Sequence, residues 1–178
     1  MKPPRSGRVK IDERSVTGDH HRARQHGVRL VPSDGGLLPN LTVLRNILYT
    51  ECVVERRPRE HREKEVRHST AIAYGLNDVL DRYPYEITVG RRRMAGLARA
   101  LRADPSVVVL EDDLDAPTWA ALLGAQKAGG RETHGLSGVA VVLVTSDLVR
   151  IQGLDAPALM FQGGDGGERV AGGEGVDG

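Results

Sequence analysis

Two short, unbroken valine-rich runs, Val107–Leu110 and Val139–Val144, flank a segment, Pro117–Lys127, that fits a helix. Continuous apolar runs of this length suit strands buried on both faces, as in a parallel sheet covered by helices. Other segments fit the same plan. Val28–Val31 is a third apolar run, closed by Pro32 and the turn residues Ser33-Asp34-Gly35-Gly36. Gly7–Asp12 alternates polar and apolar residues and reads as a half-buried strand, and Ala158–Gln162 as a last strand. Leu41–Thr50 predicts a helix, with Asn40 or Thr42 available as its cap. Met94, Leu97, Ala98 and Leu101 give Arg91–Leu101 the period of a helix with one buried stripe. The fold class expected is α/β, a mainly parallel sheet covered by helices.

Length and charge narrow the classes of function. At 178 residues the chain has room for a single core. Its 25 Lys+Arg against 24 Asp+Glu rule out a polycationic nucleic-acid binder, and no nucleic-acid partner is expected. No apolar run reaches the roughly 18–20 residues of a membrane span. The start, Met1-Lys2-Pro3-Pro4-Arg5, lacks the apolar stretch of a secretory signal. A single cysteine, Cys52, excludes an internal disulfide and a cysteine-cluster metal site, and reads as a half-buried thiol. The expected location is cytoplasmic. Gly163–Gly178 is glycine-rich and is expected to be disordered. Glu55–Arg67 is almost wholly charged, with both signs three and four residues apart. It reads as a solvated helix face or as a basic docking patch around Arg56, Arg57, Arg59 and Arg62.

Chemistry concentrates at one point. There is no Gly-x-x-x-x-Gly-Lys-Ser/Thr, no Gly-x-Gly-x-x-Gly after a strand, no His-Glu-x-x-His and no Gly-x-Ser-x-Gly. The six histidines are scattered or adjacent and form no ligand set. The strand Val107–Leu110, however, runs straight into Glu111-Asp112-Asp113, with Asp115 close behind. Carboxylates at the C-terminal end of a buried parallel strand lie where α/β sheets bind ligands. They could hold Mg²⁺ and orient a water, or simply form a solvated turn.

The order of segments carries a resemblance. RYPYEITVGRRRMAGLARALRADPSVVVLEDDLDAPTWAALL resembles the second half of the ATP-binding cassette of ABC transporters. Ile87-Thr88-Val89-Gly90-Arg91 stands at the Leu-Ser-Gly-Gly-Gln signature, Ala98-Arg99-Ala100-Leu101 at the following helix, Asp104-Pro105 at the turn, and Val107–Asp112 at Walker B. No gap is needed from Pro84 to Asp112. GVRLVPSDGGLLPNLTVLRNIL is similar to the Q-loop region, Gly7–Asp12 to the strand after the Walker A helix, and Val141–Asp147 to the strand that ends Thr-His-Asp. The resemblance spans about residues 6–163, with a helical subdomain at about 41–90.

What the resemblance implies is a P-loop NTPase-like cassette lacking its first strands and its P-loop, with ATP and Mg²⁺ as cofactors. The expected partners are a second cassette and a transmembrane subunit, which would make the chain peripheral on the inner face of a membrane. By position, Glu111 is the metal-linked Walker B acid, Asp112 the catalytic acid and Ser146 the switch residue, where the family has Asp, Glu and His. Ser33 stands where the Q-loop has Gln, and Thr88, Val89, Gly90 and Arg91 form the signature. These departures imply weak or no hydrolysis, or a non-catalytic protein that docks on a partner cassette. Arg91-Arg92-Arg93 oppose the dipole of their helix, so they are either solvated or compensate for lost phosphate contacts. Trp119 reads as packing in preference to base stacking. A mis-assigned start is a third explanation for the missing P-loop.

Overall fold

The structure is a computed structural model that describes residues 10–11, 14–15, 19–49, 59–113, 117–128, 136 and 138–151. The strand expected at Ala158–Gln162, the glycine-rich tail, Cys52 and Asp115 lie outside the described residues. The chain divides after Ser146 into two units, 1–146 and 147–178.

The first unit is built on three parallel strands, β3 (Val28–Val31), β4 (Val107–Asp112) and β5 (Ala140–Thr145), in the order β3-β4-β5. The register aligns Leu30 with Val109 and Val109 with Val142. Long crossovers join these strands, as parallel pairing requires. Between β3 and β4 run α2 (Val43–Leu48), α3 (Arg59–Glu65), a π turn (Val66–Thr70), α4 (Ala71–Ala73), a 3-10 turn (Pro84–Glu86) and α5 (Val89–Leu101); α6 (Trp119–Ala128) links β4 to β5.

Two elements precede the sheet. Of the strand expected at Gly7–Asp12, the described residues Lys10–Ile11 (β1) pair antiparallel with Arg14–Ser15 (β2), apart from the parallel sheet. Helix α1 (His20–Gln25) was not expected, because it has no apolar stripe. Its start is fixed by Asp19, whose carboxylate accepts from the Arg22 N–H at 2.9 Å.

Local rules account for the helices that matter to the site. Thr42, not Asn40, caps α2. Asn46, fully buried on α2, accepts from the Leu38 N–H at 2.7 Å, and its amide reaches the carbonyls of Leu38, Leu41 and Thr42. It thereby satisfies the backbone of the loop entering the helix. Helix α5 buries Met94, Leu97, Ala98 and Ala100 against Val31, Val108 and Leu110 of the sheet. The turn from α5 to β4 places Asp104 in the left-handed region, at φ 46°.

β5 differs from expectation. It is not buried on both faces: Val141, Val142 and Val144 are each close to half exposed. Among the described strands it lies at the sheet edge.

In the second unit, Leu148–Ile151 form a 3-10 turn. Asp147 accepts there from the Val149 N–H at 2.9 Å and pairs with Arg150 at 3.5 Å.

Candidate functional site

Parallel topology gathers the acidic and hydroxyl positions at one edge. Ser33 lies two residues beyond β3, Glu111 and Asp112 end β4, and Ser146 follows β5, whose Thr145 is in register with Asp112. Loops at the carboxyl ends of parallel strands form the crevice where this class of sheet binds ligands. The start of α5, with Thr88, Val89, Gly90 and Arg91, is tied to the same edge by Arg93.

Arg93 is the centre of the arrangement. Its guanidinium donates to Asp112 Oδ1 at 2.6 Å, to the Glu111 carbonyl at 3.0 Å and to the Pro117 carbonyl. The guanidinium carbon stacks over the Trp119 ring, 4.4 Å from its centroid. Trp119 closes the circuit by donating its indole N–H to the Glu111 carbonyl at 2.9 Å. The Arg93 and Asp112 side chains are 0% and 1% exposed. One arginine thus joins α5, the end of β4 and the start of α6.

All three arginines have partners within the chain, Arg93 fully buried and Arg91 and Arg92 still partly exposed. Arg91 pairs with Asp78 at 2.7 Å and donates to the Gly75 carbonyl. That pairing holds the Asp78 carboxyl below its ordinary 3.8. Arg92 donates to the carbonyls of Pro84 and Ile87 at 3.3 and 3.4 Å. The opposition to the helix dipole is offset by internal acceptors. A signal for Arg93 was present in the sequence: it precedes Leu97 by four residues and Ala100 by seven, and so shares their buried stripe. Trp119 packs, as expected, with its ring spent on Arg93.

The other residues at the start of α5 also have internal tasks. The Thr88 hydroxyl caps α5, accepting from the Arg91 N–H at 3.4 Å. A Cβ on Gly90 would stand 3.2 Å from Leu122 Cδ2, so its smallness serves the contact with α6. Ser33 sits in a turn closed by the Gly35 N–H to the Pro32 carbonyl at 2.8 Å and by Asp34 accepting from the Gly36 N–H at 2.8 Å. This turn lies directly on α5: a Cβ on Gly35, at φ 89°, would meet the Arg92 carbonyl at 2.3 Å, and one on Gly96 would meet the Gly35 carbonyl at the same distance. Arg99 donates to the Gly36 carbonyl at 2.8 Å from the same helix.

As built, Asp112 does not fit a metal ligand, because its carboxylate is out of water and paired with a guanidinium. Glu111 is half-buried at the strand end, and Ser146 is exposed. Among the described residues there is no group of three His, Cys, Asp or Glu that could hold a metal ion. No helix of the described residues is long and apolar enough to cross a membrane.

The arrangement is an α/β sheet with the Ser33–Gly36 turn resting on α5 and the carboxylates of β4 beside it. A family model described as "ABC transporter" matches residues 1–117, and the chain belongs to that family. It is 34% identical over 167 residues to the molybdate/tungstate import ATP-binding protein WtpC of Archaeoglobus fulgidus, covering 92% of this chain and 65% of that one. A sulfate/thiosulfate import ATP-binding protein of Shewanella oneidensis is 32% identical over 147 residues, covering 80% and 40%. The chain thus spans about two thirds of the first relative's length and less than half of the second's. Among solved structures, an ATP-binding cassette dimer in a post-hydrolysis state with ADP and Pi matches with a TM-score of 0.63. The identity is 22%, over 84% of this chain and 66% of that one.

Proposed function

We propose that this chain acts as a cassette-type subunit of an ABC import transporter and hydrolyses ATP weakly or not at all by itself. The observation that supports this reading is the Arg93–Asp112 pair. A general base must reach an attacking water, and a carboxylate neutralised in a dry pocket cannot do so without breaking a bond to a guanidinium. Glu111, at the metal-linked position, is half-buried at the end of the strand and is the acid of the two not held by Arg93's guanidinium through its carboxylate. Thr88 and Ser146 in place of Ser and His, and Ser33 in place of Gln, point the same way.

Under this reading the chain works by assembly. Its partners are a second cassette, to whose nucleotide it presents the Thr88-Val89-Gly90 helix start, and a transmembrane subunit, with the helical region at about 41–90 as the docking side. The import role follows the relatives, which are import ATP-binding proteins, and not any residue of this chain. Its place is then the cytoplasmic face of a membrane.

The test is a titration of the purified chain with a fluorescent ATP analogue, with and without Mg²⁺, beside a phosphate-release assay. No saturable binding at millimolar nucleotide and no release are expected. Mg²⁺-dependent micromolar binding with turnover overturns the reading. Restoration of activity to an intact cassette whose own signature is disabled would support the role in trans.

A further inference from the structure

Arg93, Arg91, Arg67 and Arg102 are each matched by a carboxylate, from Asp112, Asp78, Asp81 and Glu65 in turn. Arg29 is not. It stands on β3 in register with the buried Val108 and two residues before the buried Val31. Its side chain is therefore on the side of the sheet that α5 covers. There it is half-buried, and no carboxylate of the described residues pairs with it. Its Nη1 donates to the carbonyls of Arg24 and Val28 at 2.7 and 2.9 Å. Its Nε is out of water and has no partner among the described residues. A half-buried guanidinium of this kind ordinarily has an anion beside it.

Two further arginines converge on the same place. Arg24 is in the last turn of α1, its carbonyl holds Arg29, and its own side chain is exposed. Arg99 reaches from α5 to the Gly36 carbonyl at 2.8 Å. The three cations are close enough to act on one another. Burial first, and then the Arg24 charge, pulls the Arg29 guanidinium below its ordinary value, and the same two causes act in the same order on Arg99. Among the described residues Asp34 is the carboxylate that opposes this, and it acts on Arg99. Three cations against one carboxylate leave two positive charges in excess. The excess is local: Arg22, on the same helix α1, has Asp19 at 3.6 Å. Guanidinium groups present paired N–H donors that match a tetrahedral oxyanion. A phosphate ester carries about −1.5 to −2 charge at pH 7, which equals the excess, whereas a peptide carboxylate carries half of it.

We propose that Arg24, Arg29 and Arg99 form a binding site for a phosphate dianion, where the end of α1 and β3 meet the C-terminal half of α5. The anion is held by the Arg24 guanidinium and by the Nη2 of Arg29, with Arg99 adding its charge from α5. This inference does not depend on whether the chain binds nucleotide.

The test is a calorimetric titration of the full chain with inorganic phosphate at fixed ionic strength, without Mg²⁺ or nucleotide. Saturable binding is expected, about 10-fold or more tighter than that of acetate. Arg24→Gln should weaken it by about 10-fold or more, the loss of a charge-assisted hydrogen bond. Arg22→Gln, on the same helix, should leave it within about 2-fold, because that arginine already has its acid. Arg29→Gln should act as Arg24→Gln does. It also removes two bonds to backbone carbonyls, so Arg24, whose side chain is exposed, decides the matter if that variant fails to fold. Absence of saturable binding, or binding that survives Arg24→Gln, overturns the proposal. A second series identifies the source of the phosphate, using glycerol 3-phosphate and vesicles of phosphatidylcholine with phosphatidic acid. Recruitment to the vesicles that Arg24→Gln abolishes assigns the site to a lipid headgroup. Phosphate binding without recruitment assigns it to a free ion or a small ester.

Discussion

The guanidinium of Arg93 and the carboxylate of Asp112 meet at 2.6 Å beneath Trp119, 19 residues apart in sequence and both out of water. Removing one partner leaves an unpaired buried charge. Arg93→Met should therefore destabilise the chain by about 3–5 kcal/mol, and Asp112→Leu similarly. The double variant should recover most of that loss, since similar volumes are refilled with apolar groups. Urea denaturation of the four proteins measures the coupling. Additive losses would mean that the pair is not the structural joint described above.

Gly96→Ala introduces a methyl group 2.3 Å from the Gly35 carbonyl, where backbone, not a flexible side chain, must yield. A loss of about 1–3 kcal/mol is expected, the usual range for overpacking. Thermal unfolding should show it. The same variant should raise hydrogen exchange at the Gly35 N–H, whose bond to Pro32 depends on the turn resting on α5.

Asn46→Ala strips four backbone groups of one buried partner. Water can reach some of them after relaxation, so the expected loss is about 3 kcal/mol, toward the upper end for an orphaned buried group. Asn46→Asp separates the parts: it keeps the acceptor for the Leu38 N–H and sets a charge against three carbonyls, and should be at least as damaging.

Acid dependence follows from two surface pairs. Asp81 is held below its ordinary 3.8 first by its hydrogen bond to Arg67, and Asp78 by its bond to Arg91. A carboxylate whose folded value is depressed contributes its stability in full above 3.8 and loses it as pH falls through the folded value. Denaturation midpoints should drop below pH 3.8, and Asp81→Asn should flatten part of that drop. Both pairs are exposed, so the effect should be small and should shrink in salt.

Much of the fold was legible because its strands and helices announce themselves by period. Val28–Val31 and Val107–Leu110 are strands, Leu97 and Ala98 face the sheet, and Thr42 caps its helix. What was not legible depended on tertiary placement. The residues Arg91-Arg92-Arg93 read as a solvated or anion-seeking cluster, since no local rule says that Asp78, two turn carbonyls and Asp112 lie within reach. β5 read as a doubly buried strand because its valines do not reveal that it ends the described sheet, with Val141, Val142 and Val144 close to half exposed. Helix α1 escaped notice because a polar helix held by one cap has no periodic signal.

The parallel pairing has a consequence for how the chain comes into being. Leu30 lies beside Val109 across 79 residues of chain, whereas Val109 and Val142 are separated by 33. Closing the longer loop costs only about 0.8 kcal/mol more in chain entropy. Time is the larger asymmetry. At about 5–20 residues per second on a ribosome, β3 emerges about 4–16 s before the strand that completes it. For that interval Leu30 and Val31 are an unpaired apolar edge, which makes the nascent chain, more than the finished one, a substrate for chaperones.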